Sequence, residues 1–452
     1  MSHNNEDNKI LTLPPLSILI RMAIPTMGGL LAIMATDLTD AFFVSLLGQQ
    51  PLAALGFAFP LLLVMISLGI GLSAGMSAST ARAMGAGNHD LGLAYLHYGL
   101  FVSMALGSLF ATLSLILHFP LLTLIGASRP IADILEVPMM WAMAGMGILV
   151  VTMSAMGALR GRGKTSGPGL TMIAVALTNA ALDPILIFGW GIIPAMGLTG
   201  SMMATFFSRL IGLVIILYLL FKEGLFARPQ LQNLLPTALK DILFVGIPAA
   251  LTNMVLPLAN GVVLSVVARY GEAAVAGFSV ATRIETVILV PFYALSSVIG
   301  PFLGQNQAAK YFDRMRDGHQ QLGLFCLLLG ALICIILTNF SHHLAIMFGG
   351  GTAVQDIIRS YMRYLPICYA FYGISMYVMA GFNGLHQPYW ATGVGIGRSV
   401  LTMIPFVFLG SQLYDLTGIW LAMTATHILW GGLAYLVLRH FIAQQAMHAP
   451  SQ

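Results

Sequence analysis

Twelve long, continuous apolar runs constrain this chain more than any other feature of its sequence. About 20 apolar residues suffice for a helix to cross the hydrocarbon core of a bilayer. Because the apolar residues are continuous and do not alternate with a period of two, the runs predict membrane-spanning helices and not a barrel. The runs lie at 16–47, 51–81, 93–119, 131–157, 166–190, 196–221, 240–270, 273–303, 320–348, 357–382, 389–411 and 416–440.

The composition excludes a soluble globular protein. Hydrophobic residues make up 58% of the 452 residues and charged residues 8%, whereas a soluble domain carries roughly 25% charged residues. In lipid an apolar surface needs no charges, provided that every backbone polar group is paired within a helix. The sequence therefore predicts an all-α membrane protein that contacts membrane lipids. The net charge of +4 is small and says nothing about nucleic acid; we expect no nucleic-acid partner.

Lysine and arginine residues are distributed unequally between the two sides of the membrane. Thirteen of the 20 lie on the side that holds the amino terminus, the even-numbered connections and the carboxyl terminus. Two, Arg129 and Arg269, lie on the other side, and five lie in or at the edge of apolar runs. Cytoplasmic connections carry the excess of basic residues. Both termini are therefore predicted to lie in the cytoplasm, with the chain in the inner cell membrane and without a cleaved signal peptide.

The two halves of the chain resemble each other at an offset of about 220 residues. The sequence AALGF at 53–57 resembles AVAGF at 274–278, and GAGN at 85–88 resembles GQN at 304–306. Since each half holds six runs, the twelve transmembrane helices form two six-helix bundles related by a parallel pseudo-two-fold repeat, as in transporters. The predicted parts are an amino-terminal tail (1–15), an N-lobe (16–221), a linker (222–239), a C-lobe (240–440) and a carboxyl-terminal tail (441–452).

Acidic side chains within the apolar runs are the first candidates for a functional site, because a charge there costs about 2.5–3.5 kcal/mol. Asp37 and Asp40 lie three residues apart on one helix face, and Asp183 follows Asn179 by one helical turn. Two carboxylates in a poorly hydrated cavity cannot both stay ionised cheaply. Such a pair exchanges a proton, or holds Na⁺ with the help of an amide oxygen and a hydroxyl. The alternatives are an acid that faces water at a helix end, above all Asp37, or one that pairs with Arg209.

Other polar residues in the runs favour structural roles. Arg283 and Glu285 are two residues apart, so they point away from each other on a regular helix and do not form a pair. A histidine such as His427 can change its charge near physiological pH, but a single histidine is more often a packing residue. Pro25, in the same run as Asp40, frees a backbone carbonyl and permits a kink. A kink there would change how Asp40 faces the cavity.

The sequence contains no enzyme signature. It lacks the GxxxxGK[ST] phosphate loop, HExxH, GxSxG and any Cys/His spacing typical of a metal site. We expect neither an enzyme nor a resident cofactor or metal.

Five stretches resemble the multidrug and toxic compound extrusion (MATE) family, and its DinF-like branch most. They are DAFFVSLLG at 40–48, MGAGN at 84–88, ALRGRGK at 158–164, NAALDPILIFG at 179–189 and GSMMAT at 200–205. The resemblance implies a two-lobed antiporter, expected to be a monomer, that exchanges cationic or amphipathic small molecules for H⁺ or Na⁺. We favour H⁺ slightly.

The resemblance also implies the site residues. It assigns the binding site for the substrate and the coupling ion, including a possible Na⁺, to Asp40, Asn179, Asp183 and Thr205. Pro25 corresponds to the proline on helix one of the family. Asp37 is an extra acid that would adjust the charge of the site.

One departure from the family pattern bears on the C-lobe. NorM-type members carry acids on helices seven and ten, but Leu256 stands at the first position and residues 364–382 contain no acid. A C-lobe cation site of that kind is therefore not expected.

Two other functions remain open from the sequence. One is a flippase for a lipid-linked sugar, which would need more basic residues in its cleft than this chain offers. The other is a receptor or channel without transport, against which the duplicated halves argue.

Overall fold

The first half of the chain is a series of long helices. The computed structural model describes residues 9–124, 129–226, 235–347 and 351–447. Seven helices precede residue 226: α1 (Lys9–Thr12), α2 (Pro15–Ser45), α3 (Gln49–Gly85), α4 (His89–Leu124), α5 (Arg129–Gly161), α6 (Ser166–Phe188) and α7 (Gly197–Lys222).

The second half is also helical but has more interruptions. Its helices are α8 (Leu235–Val267), α9 (Glu272–Ile288), α10 (Val290–Ala308), α11 (Phe312–Met347), α12 (Gly351–Tyr364), α13 (Tyr369–Gly384), α14 (Pro388–Ile396) and α15 (Ile404–Met447). A π-helical stretch, Gly397–Met403, joins α14 to α15, and the non-helical backbone of Tyr414 and Asp415 divides α15 in two.

These helices provide twelve membrane spans within the described residues. Ten helical stretches are long and apolar enough to cross a bilayer, and α9 with α10 makes an eleventh span that bends by 47°. The break at Tyr414 and Asp415 divides the stretch Pro388–Met447, which is 60 residues long, into two spans. The predicted all-α membrane fold with twelve transmembrane helices is confirmed.

Two spans contain breaks that the apolar runs do not reveal. The run at 273–303 bends at Leu289, between α9 and α10, and a short 3₁₀ segment, Leu365–Cys368, separates α12 from α13. Each break coincides with a proline, Pro291 and Pro366. Because proline has no backbone N–H and its ring collides with the carbonyl four residues earlier, it interrupts a regular helix. Hydropathy cannot detect such a break, since proline does not shorten the apolar run.

The chain divides into two compact units. The first unit consists of residues 24–251, and the second of residues 1–23 and 252–452. Both boundaries fall inside helices, α2 and α8. Residues 1–8, 227–234 and 448–452 lie outside the described residues, and with them Arg228 and parts of the linker and the two tails. The bounds given to the lobes stay a prediction.

Close helix contacts in the first unit position α2, α6 and α7. A Cβ atom added to Gly169 of α6 would lie 2.3 Å from the carbonyl oxygen of Pro25 in α2. One added to Gly200 of α7 would lie 2.2 Å from the carbonyl oxygen of Leu186 in α6. Without a hydrophobic force between helices in lipid, small residues that let backbones approach provide the packing. Glycine at these two positions therefore brings three helices together.

Candidate functional site

The α6–α7 pair holds a polar cluster inside the first unit. Asn179 and Asp183 lie one turn apart on α6 and are 1% and 0% exposed. The Asn179 amide Nδ2 donates to the hydroxyl of Thr205 on α7 over 3.4 Å. The same hydroxyl donates to the carbonyl of Ser201 over 3.1 Å, so one lone pair of Thr205 is already occupied by Asn179. The side chains are thus fixed relative to each other by both helices.

Helix α2 completes the cluster with Asp40. The carboxyl groups of Asp40 and Asp183 are electrostatic neighbours, although they lie on helices that are far apart in the sequence. The four residues that the family resemblance assigned to one site, Asp40, Asn179, Asp183 and Thr205, therefore lie together in the first unit.

Several oxygen atoms of this cluster have no hydrogen-bond partner. Among the described residues, both carboxyl oxygens of Asp183, Oδ1 of Asp40 and Oδ1 of Asn179 are buried and unpaired. A buried polar atom without a partner costs about 1–3 kcal/mol, and such atoms are rare in folded proteins. Oxygen atoms that face one another in this way are suited to bind a proton or a hard cation.

A positive charge lies near the cluster without neutralising it. Arg209 on α7 acts electrostatically on Asp40 and Asp37, and its Nη1 is buried without a hydrogen-bond partner within the described residues. A Cβ added to Gly145 of α5 would lie 3.3 Å from this Nη1. Among the described residues Asp183 forms no ion pair with Arg209, and the interactions of Arg209 with Asp40 and Asp37 are electrostatic.

Asp37 lies at the edge of the cluster. It is exposed and interacts electrostatically with Asp40 and Arg209. It does not build a three-carboxylate site: among the described residues, no three or more His, Cys, Asp or Glu side chains are arranged to hold a metal ion. Asp37 is therefore a neighbour of the site that contributes charge.

Pro25 connects the cluster to the packing of α2. The helix continues through this proline, but the carbonyl of Arg21 loses its helical donor because Pro25 has no N–H. The backbone of Pro25 packs on Gly169 of α6, and α6 also carries Asn179 and Asp183. A change of shape at Pro25 would therefore be transmitted to both helices that supply carboxyl groups.

The second unit confirms that Arg283 and Glu285 do not pair. Arg283 is exposed, whereas Glu285 accepts a hydrogen bond from the hydroxyl of Tyr361. His427 is 5% exposed and its ring packs 4.3 Å from that of Tyr372. The second unit thus has a carboxyl group in its interior, supplied by α9.

Arg398 was not recognised as a candidate from the sequence. It is 2% exposed and lies in the π-helical stretch of the second unit. Its position inside an apolar run, like that of several other arginines, left its burial undecided. Gly395 and Gly397, which both precede Arg398, were the available signal, because they indicate close packing there.

Comparison with known proteins decides the family. The family model described as MatE matches residues 25–185 and 248–409, which is most of both halves. The chain belongs to the MATE family.

Curated MATE relatives align along nearly the whole chain. A FAD transporter of Shewanella oneidensis is 33% identical over 428 residues, covering 94% of this chain and 95% of the relative. A probable multidrug resistance protein NorM of Thermotoga maritima is 27% identical over 423 residues, covering 90% of this chain and 88% of the relative.

Solved MATE structures share the fold. The crystal structure of the Vibrio cholerae MATE transporter VcmN in the bent form is similar with a TM-score of 0.91 at 26% sequence identity, covering 99% of this chain and 100% of that chain. An outward-facing multidrug resistance MATE transporter gives a TM-score of 0.91 at 25% identity, covering 97% of this chain and 98% of that one. The protein is therefore a multi-pass membrane transporter of small molecules and not an enzyme, as the sequence predicted.

Proposed function

We propose that this MATE protein is a cation-coupled antiporter that exports small amphipathic molecules. The single observation that carries the proposal is a pair of neighbouring carboxyl groups in the first unit, Asp40 and Asp183, with buried oxygen atoms that have no hydrogen-bond partner among the described residues. A structural role would pair these oxygens with donors of the protein. A site that binds and releases an ion must leave them available.

H⁺ is the slightly favoured coupling ion. Two carboxyl groups in contact cannot both carry a charge at low cost and readily share one proton. The oxygen atoms of Asn179 and Thr205 together with the two carboxyls also make a donor set that suits Na⁺, since hard cations prefer oxygen ligands. Within this proposal the same residues serve either ion.

Exchange requires that the ion and the cargo favour different conformations. A ligand shifts a conformational equilibrium only by its difference in affinity for the two states. Binding of the ion at Asp40 and Asp183 would stabilise one state and binding of the cargo the other, so each promotes release of the other. Asp37 and Arg209 set the charge around Asp40 and would adjust this balance.

Two classes of cargo have support. The multidrug relatives favour cationic or amphipathic compounds. The FAD transporter of Shewanella oneidensis favours an anionic flavin nucleotide instead. Arg398, a buried cation in the second unit, agrees with this second candidate.

The proposed location is the inner cell membrane, with both termini in the cytoplasm and the protein acting as a monomer. The excess of lysine and arginine on one side supports the orientation.

Replacing Asp40 with Asn tests the coupling site. In proteoliposomes without sodium, an imposed pH gradient is expected to drive efflux of a fluorescent lipophilic cation through the wild type. The same gradient should drive none through the Asp40→Asn variant, because the amide cannot exchange a proton. Asp40→Glu, which keeps the carboxyl group, is the matched control and should retain part of the activity.

The outcomes of this test separate the ion from the site. If only a sodium gradient drives transport in the wild type, and Asp40→Asn still transports nothing, the coupling site is correct and the coupling ion is Na⁺. If Asp40→Asn transports as well as the wild type, the coupling site is wrong. Should neither gradient drive efflux of the cation, the same test is repeated with a flavin nucleotide as the cargo.

Replacing Pro25 with Ala tests the proposed conformational role of α2. The alanine restores the N–H that the carbonyl of Arg21 lacks, which stabilises an unkinked helix. We expect at least about a tenfold loss of efflux, equivalent to about 1.4 kcal/mol, with unchanged thermal stability. The measurement is the initial efflux rate in the same proteoliposomes. Wild-type rates in this variant would exclude a kink at Pro25 from the transport cycle.

A further inference from the structure

The second unit encloses a polar cavity of its own, apart from the carboxylate cluster. It has a volume of about 90 Å³, enough for one small chemical group but not for a whole drug-sized molecule. Its walls include charged, phenolic and amide side chains, among them Asn260, Glu285, Tyr293, Tyr372, Arg398 and His427.

Arg398 is the cation of this cavity and lacks a counter-ion. It is 2% exposed, donates from Nη1 to the hydroxyl of Ser375 over 2.5 Å, and lies 4.7 Å from the ring centroid of Tyr372. No ion pair of Arg398 exists among the described residues. The contact with the Tyr372 face offsets part of the cost of burial, but a buried guanidinium needs an anion to compensate its desolvation.

Glu285 does not supply that anion. Its carboxyl group accepts the hydroxyl hydrogen of Tyr361 and forms no ion pair with Arg398 in the described part of the structure. The guanidinium has five N–H donors in a planar fork, which matches a carboxylate or phosphate. With one hydrogen bond to Ser375, most of that fork remains available to a ligand.

Two further polar groups at this cavity are unpaired. Among the described residues, Oγ of Ser399 and Nδ1 of His427 are buried without a hydrogen-bond partner, and both side chains line the cavity. Ser399 is 1% exposed and His427 5%. The hydroxyl of Ser399 can donate a hydrogen bond to an anion, and so can Nδ1 of His427 in the tautomer that carries its proton there. Three incompletely paired side chains thus lie around one small space.

The backbone at Arg398 is built in an unusual way. Arg398 and Ser399 lie in the π-helical stretch Gly397–Met403, and π-helical turns are frequently found at functional sites. The stretch is fixed against α15, because a Cβ on Gly397 would lie 2.0 Å from the ring of Trp430 and Trp430 donates to the hydroxyl of Thr402 over 2.8 Å. The wider turn lets two consecutive side chains, Arg398 and Ser399, line the same cavity.

We propose that this cavity binds the anionic end, a carboxylate or phosphate, of an aromatic molecule, with Arg398 as its counter-ion. Tyr293 and Tyr372 provide aromatic wall beside the charge, and the small volume selects the end of the ligand. The proposal rests on the proposed function in one respect, since it takes the molecule bound in this cavity to be the transported cargo. Of the two cargo classes it favours the anionic one.

The test compares two probes that differ by one phosphate. Riboflavin and flavin mononucleotide share their ring system and are both fluorescent, so equilibrium dialysis measures their binding to the purified full-length protein in detergent. We expect the wild type to bind flavin mononucleotide at least about tenfold more tightly than riboflavin, and Arg398→Gln to bind both with equal affinity. Equal affinities in the wild type would overturn the proposal.

Two control variants distinguish a binding role from a structural one. Arg283→Gln removes the same charge from an exposed position on α9 and should keep the full preference for the phosphate. Ser375→Ala removes the internal hydrogen bond of Arg398 but keeps its charge, and should keep most of the preference. If Ser375→Ala loses the preference as completely as Arg398→Gln, Arg398 is a packing residue and the proposal fails.

The remaining outcomes are also decisive. If Arg398→Gln does not fold, Arg398→Lys replaces it in the test. Lysine keeps the charge without the planar guanidinium, so this variant should lose part of the preference for the phosphate. An undiminished preference in Arg398→Lys would contradict binding of the phosphate by the planar guanidinium. The binding preference is measured in detergent without an ion gradient and so is read independently of the transport test at Asp40. A wild type that prefers flavin mononucleotide but shows no ion-driven transport keeps this cavity and overturns the coupling site. A wild type with ion-driven transport but equal affinities for the two flavins keeps the coupling site and overturns this cavity.

Discussion

Asp183→Asn is expected to abolish export while leaving the protein folded. Asn has the shape of Asp but cannot take up a proton or carry the negative charge that holds a cation. Since no donor group of the protein pairs with either carboxyl oxygen of Asp183 among the described residues, the replacement leaves no such donor without its acceptor and removes a buried charge. Thermal stability should therefore remain equal or rise, whereas transport falls by at least about a hundredfold, or roughly 2.7 kcal/mol.

The most direct measurement of this effect is proton release in detergent. Adding the cargo to purified wild-type protein should release protons into a weakly buffered solution, and Asp183→Asn should release none. Asp37→Asn is the matched control, because it removes the same group from an exposed position beside the site and should keep at least about half of the release. Normal proton release and transport by Asp183→Asn would exclude Asp183 from coupling.

Gly200→Ala is expected to impair both folding and transport. The added methyl group would lie 2.2 Å from the carbonyl oxygen of Leu186 and 2.5 Å from its carbonyl carbon. Backbone atoms cannot move aside as the end of a side chain can, so α7 must shift away from α6. Overpacking of this kind costs about 1–3 kcal/mol. The shift would also lengthen the contact between Asn179 and Thr205, which is 3.4 Å in the structure.

The prediction for Gly200 is checked by thermal unfolding followed on a size-exclusion column, together with efflux in proteoliposomes. Gly56→Ala is the control, since an added Cβ at Gly56 meets no atom within 4 Å. It should unfold at the wild-type temperature, whereas Gly200→Ala should unfold at a clearly lower one. Equal unfolding temperatures for the two variants would mean that α6 and α7 tolerate a wider separation.

Part of the site could be predicted from local spacing, and part could not. Asn179 and Asp183 are four residues apart, so any helix places them on one face. The rotation of α2, α6 and α7 about their own axes decides the rest. It places Asp40 beside Asp183, and it places Arg209 near Asp40 without an ion pair to Asp183. In lipid-facing helices that are apolar on most sides, the sequence distinguishes no single inward face. The family resemblance, and not the spacing, brought Asp40 and Thr205 into the expected site.

The second unit shows a clearer limit of the sequence. Its most unusual site residue, Arg398, lies within an apolar run like several other arginines of the chain. The π-helical turn, the contact of Gly397 with Trp430 and the absence of an ion pair among the described residues together distinguish it. Apart from Gly395 and Gly397, no local pattern marks Arg398, because the contact with Trp430 and the missing ion pair depend on residues that are distant in the sequence.

The sequence by itself determined the class of the protein, its twelve spans and the two residues of the site that share a helical turn. A membrane permits little else, since a long apolar run must pair all its backbone groups within a helix. Only the tertiary structure decided where spans break, which carboxyls meet and which arginine lies buried without an anion. These outcomes follow from close contacts between helices, such as Gly169 on Pro25 and Gly200 on Leu186, and packing of that kind is a property of pairs of helices rather than of either sequence segment alone.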